Sequence, residues 1–145
     1  MTRIDKEITI NAPLEKVYNF VIKPSNLPQI WPSLMLIKNE QLLPNGGYSA
    51  QWVYKMGGKL LEGTGEYTDI ITNQWFTIKT TGEVESAITC TFRSKDDGQT
   101  RVTFTVDYHI PPVPLAWLAG KIIIKINERE AELLLTNLQA ILEES

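Results

Sequence analysis

The chain carries one cysteine, Cys90, and one histidine, His109, among 145 residues. A lone cysteine forms no intrachain disulfide, so the fold does not depend on an oxidising compartment. Cys90 sits in an apolar run and reads as a small buried hydrophobe. One His and one Cys make a poor transition-metal site, because zinc takes several such ligands. Neither a Ser-His-Asp nor a Cys-His arrangement is supported. His109 is the one side chain whose ordinary pKa suits proton transfer near neutrality. It falls at a strand end beside prolines, with Asp107 and opposite Tyr108, which is a solvated position. No catalytic residue, metal ligand or cofactor is therefore assigned.

Charge of one sign is also lacking. Lys and Arg number 14 against 17 Asp and Glu, for a net charge of −3. The basic residues form no patch, and a phosphate binder needs a concentrated basic face. Nucleic acid is not an expected partner. Long apolar runs are absent too. The longest, Leu115–Ile126, is broken by Gly120, Lys121 and Lys125, and a bilayer span needs about 20 apolar residues. Met1–Asn11 lacks the apolar core of a signal peptide. These readings predict a cytoplasmic protein with no transmembrane segment. Gly57-Gly58 and Gly63-x-Gly65 open no helix and precede no Gly-Lys-Ser/Thr, so they serve turns and bends rather than phosphates.

What is present is ordinary globular material, 43% hydrophobic and 21% charged, with no repeat or linker. One domain over residues 1–145 is expected. Ile4, Ile8 and Ile10 alternate as a half-buried strand requires. Asn11 is a candidate cap, and Pro13 suits a first helical turn, so Pro13–Ile22 is predicted as a short amphipathic helix. Three prolines in Lys23–Pro32 forbid a regular helix there, although Asn26–Trp31 allows one irregular turn. Turn chemistry then recurs at Pro44-Asn45-Gly46-Gly47, Gly57-Gly58, Thr72-Asn73, Gly82 and Asp96-Asp97-Gly98. Between these turns, strands are predicted at Leu34–Leu42, Tyr48–Met56, Lys59–Asp69, Trp75–Thr81, Glu83–Ser94 and Thr100–Tyr108. Such close spacing implies hairpins and an antiparallel meander. From Leu115 to Leu142 helical spacing predicts one helix of about 42 Å.

Each strand has one apolar face. Tyr48, Ala50, Trp52, Tyr54 and Met56 share a side. Phe76 and Ile78 share another. Val84, Ser86, Ile88, Cys90 and Phe92 lie together, as do Val102, Phe104, Val106 and Tyr108. The inward rings, from Tyr48, Trp52, Tyr54, Phe76, Phe92, Phe104 and Tyr108, either line an apolar pocket or fill a core. Periodicity does not separate these readings. Ile78 belongs with them, and Leu118, Ile122 and Ile126 are the candidate lining on the long helix. Trp31 is a candidate lid. Leu115-Ala116-Trp117-Leu118 suits an entrance or a patch for a partner. Glu62 and Glu66 share one face of their strand. If inward, they are candidate acids with raised pKa. If outward, Leu61, Gly63, Gly65 and Tyr67 face in, and the glycines admit a ligand or the helix close to the backbone.

The run Ile8-Thr9-Ile10-Asn11-Ala12-Pro13 into Glu15-Lys16-Val17-Tyr18-Asn19-Phe20 is distinctive. It is followed by Leu27-Pro28, Trp31-Pro32, the paired glycines and a terminal helix carrying Asn137-Leu138. Together these resemble, over the whole chain, the SRPBCC (START-like, Bet v 1-like) superfamily and its polyketide cyclase/dehydrase-like branch. The resemblance implies an α+β helix-grip fold. A curved seven-stranded antiparallel sheet would wrap the C-terminal helix around a cavity, with one or two short helices between strands 1 and 2. Members bind lipids, sterols, quinones, hormones or polyketides, and some catalyse cyclisation or dehydration without a shared catalytic set. Fold alone does not fix function. The leading expectation is a binder of a small hydrophobic molecule such as a lipid, polyketide or aromatic. The rivals are a cyclase/dehydratase-like enzyme using a buried carboxylate or tyrosine, and a protein-interaction module, including pairing as a homodimer.

Overall fold

The computed structural model describes residues 2–109 and 120–144. Strand β1 (Thr2–Ile10) leads into helix α1 (Leu14–Val21) and a 3-10 segment (Pro24–Gln29). Six strands follow: β2 (Leu34–Leu42), β3 (Tyr48–Met56), β4 (Lys59–Ile71), β5 (Trp75–Gly82), β6 (Ser86–Lys95) and β7 (Gln99–Tyr108). Helix α2 (Gly120–Glu144) closes the chain. The expected residues Leu115 to Ala119 of this helix, and with them Trp117 and Leu118, lie outside the described residues.

The seven strands form one antiparallel sheet in the order β1-β7-β6-β5-β4-β3-β2. Strands β2 to β7 are a simple meander, and β1 returns to pair along β7, Ile4 opposite Val106 and Ile8 opposite Val102. This is the helix-grip arrangement. The strand faces follow the alternation. Each residue of β7 from Thr100 at even positions is buried, and each at odd positions is partly exposed. Strand β2 breaks the rule. A bulge between Leu34 and Leu36 inserts one residue, so Leu34 opposite Tyr54 and Ile37 opposite Trp52 both face inward. Strand β6 begins at Ser86, later than Glu83, because Gly82 adopts φ +107 and starts the turn.

One local expectation gives way, and one open choice of strand face is decided. Asn11 does not cap α1. Pro13 holds the cap position without a side-chain bond, and the Asn11 N–H instead donates to Glu143 Oε2 at 2.9 Å. Glu62 and Glu66 face solvent, while Leu61, Gly65 and Tyr67 are buried.

Helix α2 lies across the concave face, tied to β1 by Gln139 Nε2 donating to the Thr9 carbonyl at 2.9 Å. Its buried stripe runs through Ile123, Asn127, Ala131, Leu134, Leu135, Leu138 and Leu142. Ile122 and Ile126 are the candidates this phase overturns, since they are 42% and 37% exposed. The helix is apolar nearly all round near its start, so hydropathy does not set its rotation. The true stripe passes through two polar residues, Asn127 and Glu130, that an apolar pattern skips.

Candidate ligand cavity

Between sheet and helix lies a cavity of about 120 Å³. Six predicted residues stand on its wall: Trp31, Trp52, Tyr54, Ile78, Phe104 and Tyr108. The other wall residues include Leu27, Leu34, Ile37, Tyr67, Thr80, Ser86, Ile88 and Val106. Asn127 and Ala131 bring α2 to it. A satellite void of about 10 Å³ sits beside it, sharing Trp31 and Phe104.

Three aromatic candidates are not on this wall. Phe76 and Phe92 are 0% and 3% exposed and pack with Tyr18, whose ring centroid lies 6.0 and 5.3 Å from theirs. They are solid core. Tyr48 is half-buried, edge-on to Tyr67 at 6.2 Å, with Lys23 Nζ 5.4 Å from its ring centre. All three have the right alternation, but alternation reports the face and not what opposes it.

The Trp31 segment covers one side. Its indole stacks edge-on against Tyr54 at 5.6 Å and Phe104 at 5.7 Å, and Nε1 donates to the Tyr54 hydroxyl at 3.3 Å. Helix α2 pins the same segment twice. Glu130 Oε1 accepts from the Ser33 N–H at 2.7 Å, and Asn137 Nδ2 donates to the Ile30 carbonyl at 3.1 Å.

Small residues shape the β3–β4 side of the cavity. Gly63, opposite Trp52, leaves no room for a side chain, because an added Cβ would meet Thr81 O and the Trp52 ring. The indole therefore lies against the backbone of β4 at Gly63. Gly65 and Ala50 are neighbours in the next pair.

The wall is polar at few points. Thr80 Oγ1 lies 2.6 Å from Ser86 Oγ and donates to the Val84 carbonyl at 3.0 Å. Asn127 Nδ2 donates to the Tyr108 hydroxyl at 3.0 Å. Trp52 Nε1, Tyr67 OH and Asn127 Oδ1 are buried without a partner among the described residues. Each such group costs about 1–3 kcal/mol of stability. Burial raises the pKa of Tyr54, of Tyr67 strongly, and of Tyr108, with the Trp31 and Asn127 hydrogen bonds opposing it at Tyr54 and Tyr108. These phenols therefore stay protonated near neutrality and act as donors, not bases. No carboxylate, imidazole or thiol lines this cavity among the described residues. Among the same residues no group of His, Cys, Asp and Glu could hold a metal ion. His109 is exposed. No described helix is long and apolar enough to cross a membrane.

Sequence reasoning does not single out Thr80, Ser86, Asn127 or Ala131 as lining residues. Ser86 is legible as an inward polar residue in an apolar face. Asn127 gives no such signal, since its burial depends on the helix phase.

The family model described as polyketide cyclase/dehydrase and lipid transport matches residues 1–143. The chain belongs to that family. The family member is similar to a Thermus thermophilus protein at 23% identity and TM-score 0.71, over 96% of this chain and 95% of that one. It is also similar to a START superfamily protein from Mycobacterium smegmatis at 13% identity and TM-score 0.80, over 98% and 97%. The Zhui aromatase/cyclase from Streptomyces sp. R1128 is 13% identical with TM-score 0.80, over 98% and 93%. Likeness at these identities concerns the fold. No curated protein matches the chain.

Proposed function

We propose that this family member, one domain over residues 1–145, binds a small apolar molecule in the cavity between sheet and α2, and that it acts as a carrier or sensor in the cytoplasm rather than as an enzyme. The observation that carries the reading is the cavity of about 120 Å³ with its nearly continuous hydrocarbon wall. Hydrocarbon buried against such a wall leaves water at a gain in free energy. The family's description covers both cyclases and lipid transport. The cyclase reading loses its candidate bases, because Glu62 and Glu66 face solvent and no carboxylate or imidazole lines the cavity among the described residues.

Titration with toluene, followed by methyl NMR of Ile78, Ile88 and Val106, tests this. Saturable shifts are expected in the native protein. They should be lost in Ala131→Leu, which fills the space from the helix side. Shifts that never saturate, or that persist unchanged in Ala131→Leu, would overturn the reading.

A further inference from the structure

Besides the polar atoms of Trp31, Trp52, Tyr54 and Tyr67, the cavity has a cluster of polar side chains at one end. Strand register joins Ala50, Gly65, Thr80, Ser86 and Tyr108 into one row across β3 to β7. Asn127 of α2 adds its amide at the Tyr108 end of that row. The next row, Tyr67, Ile78, Ile88, Val106 and Ile4, is hydrocarbon apart from one phenol.

Following the protons shows what is unused. The Thr80 hydroxyl gives its proton to the Val84 carbonyl, so in the 2.6 Å contact it accepts and Ser86 donates. The Tyr108 oxygen accepts from Asn127 Nδ2 at 3.0 Å. Its own proton meets no acceptor among the described residues. Asn127 Oδ1 meets no donor there. A spare O–H and a spare amide oxygen thus stand side by side on residues 97% and 93% buried. A hydroxyl satisfies both, accepting from Tyr108 and donating to Asn127. Among the described residues no Lys, Arg or His lines the cavity to offset an anion, and no Asp or Glu a cation. A charged guest would shed its hydration without compensation. Size narrows the class further. The volume is of the same order as the roughly 150 Å³ of a cavity that admits one aromatic ring.

We infer that the guest is an uncharged molecule of about one ring, bearing a hydroxyl that sits between Tyr108 and Asn127 while its hydrocarbon lies on Ile78, Ile88 and Val106. The inference rests on the cavity-binding reading above and names its ligand class.

The test compares three probes of similar size, p-cresol, toluene and benzoate, by calorimetric titration of the whole chain. A plain hydrocarbon cavity favours toluene, because p-cresol must lose hydration at its hydroxyl. The expected order is p-cresol tightest, with benzoate not binding. Tyr108→Phe and Asn127→Leu should each weaken p-cresol about tenfold while moving toluene less than about twofold. Tyr108→Phe removes a single oxygen and decides the matter alone if Asn127→Leu does not fold. Toluene binding as tightly as p-cresol, benzoate matching p-cresol, or an unchanged p-cresol affinity in Tyr108→Phe would overturn the inference and leave cavity binding standing. Failure of both toluene and p-cresol to bind would overturn the cavity reading itself.

Discussion

The two ends of the concave sheet share one pattern and differ in outcome. At one end Phe76, Phe92 and Tyr18 meet ring against ring, with Cys90 buried opposite Phe76 and only the void of about 10 Å³ beside it. At the other, the inward row reads Ala50, Gly65, Thr80 and Ser86 before reaching Tyr108. Both ends alternate correctly, the filled one against Tyr18 of α1 and the hollow one toward Asn127 and Ala131 of α2. What separates core from cavity is the volume of successive inward residues along a row that crosses the strands. Such a row draws one residue from each of five successive strands, β3 to β7. A strand read along its own length cannot reveal it.

The largest effect that probes this contrast lies at the filled end. Phe76→Ala should cost about 3–5 kcal/mol, because the surrounding rings cannot collapse into the gap. Urea unfolding monitored by circular dichroism gives the value. A loss below about 1 kcal/mol would mean that this end is not solid, and the contrast would fall.

Gly63→Ala comes next. Its Cβ would strike the Thr81 carbonyl and the Trp52 ring together, and the backbone cannot yield as a side chain can. Overpacking of this kind costs about 1–3 kcal/mol. A shift in Trp52 fluorescence should accompany it. An unperturbed indole spectrum with unchanged stability would show that Trp52 does not lie on Gly63.

The filled end also has a pH signature. Burial pushes the Cys90 thiol up to about 12, against about 8.5 in an unfolded chain. The folded pKa is the higher one. Its contribution to stability is therefore complete below about 8.5 and is lost as pH rises toward 12, since the unfolded chain releases a proton the folded chain keeps. Between about pH 9 and 10 this group's share of the slope should approach about 1.4 kcal/mol per pH unit, beside a share of the same sign from the tyrosines whose pKa burial raises. Cys90→Ala should flatten that slope, whatever it does to absolute stability. Equal slopes in both proteins would place the thiol in a wetter setting.

Much of the fold is legible in the sequence. The bounds of β2 and β3 coincide with the predicted Leu34–Leu42 and Tyr48–Met56, because Pro32, Gly46-Gly47 and Gly57-Gly58 punctuate the chain there, although only β3 alternates cleanly. The inward faces of β3, β6 and β7 are legible from their alternation. The choice between Glu62 and Gly63 is not, since Glu and Gly give no apolar signal on either side of the strand. Hydropathy misplaces the phase of α2 because Asn127 and Glu130 are buried through partners on Tyr108 and Ser33, contacts 19 and 97 residues away in sequence. A polar residue satisfied at such range looks solvated in a hydropathy pattern. The candidate site is therefore half legible, its aromatic wall visible and its polar end not.

The smallest expected effect tests the contrast most directly. Gly65 lies one pair from Gly63 on the same inward face, yet a Cβ there meets only Ile78 Cγ2 at 3.5 Å, Trp52 Cδ1 at 3.7 Å and Thr80 Cγ2 at 3.9 Å, ordinary contact distances. Its backbone is outside the left-handed region. Gly65→Ala should therefore stabilise the fold by about 0.4–1 kcal/mol, by restricting the unfolded chain. The methyl would project into the cavity, whose wall includes Gly65. Thermal unfolding should rise by a few degrees at most, while toluene affinity falls. Opposite movement of these two readouts is the result expected of a hollow that exists at a cost to stability. A variant that loses stability as Gly63→Ala does would mean that the row is already filled, and that the two ends of the sheet differ in composition but not in packing.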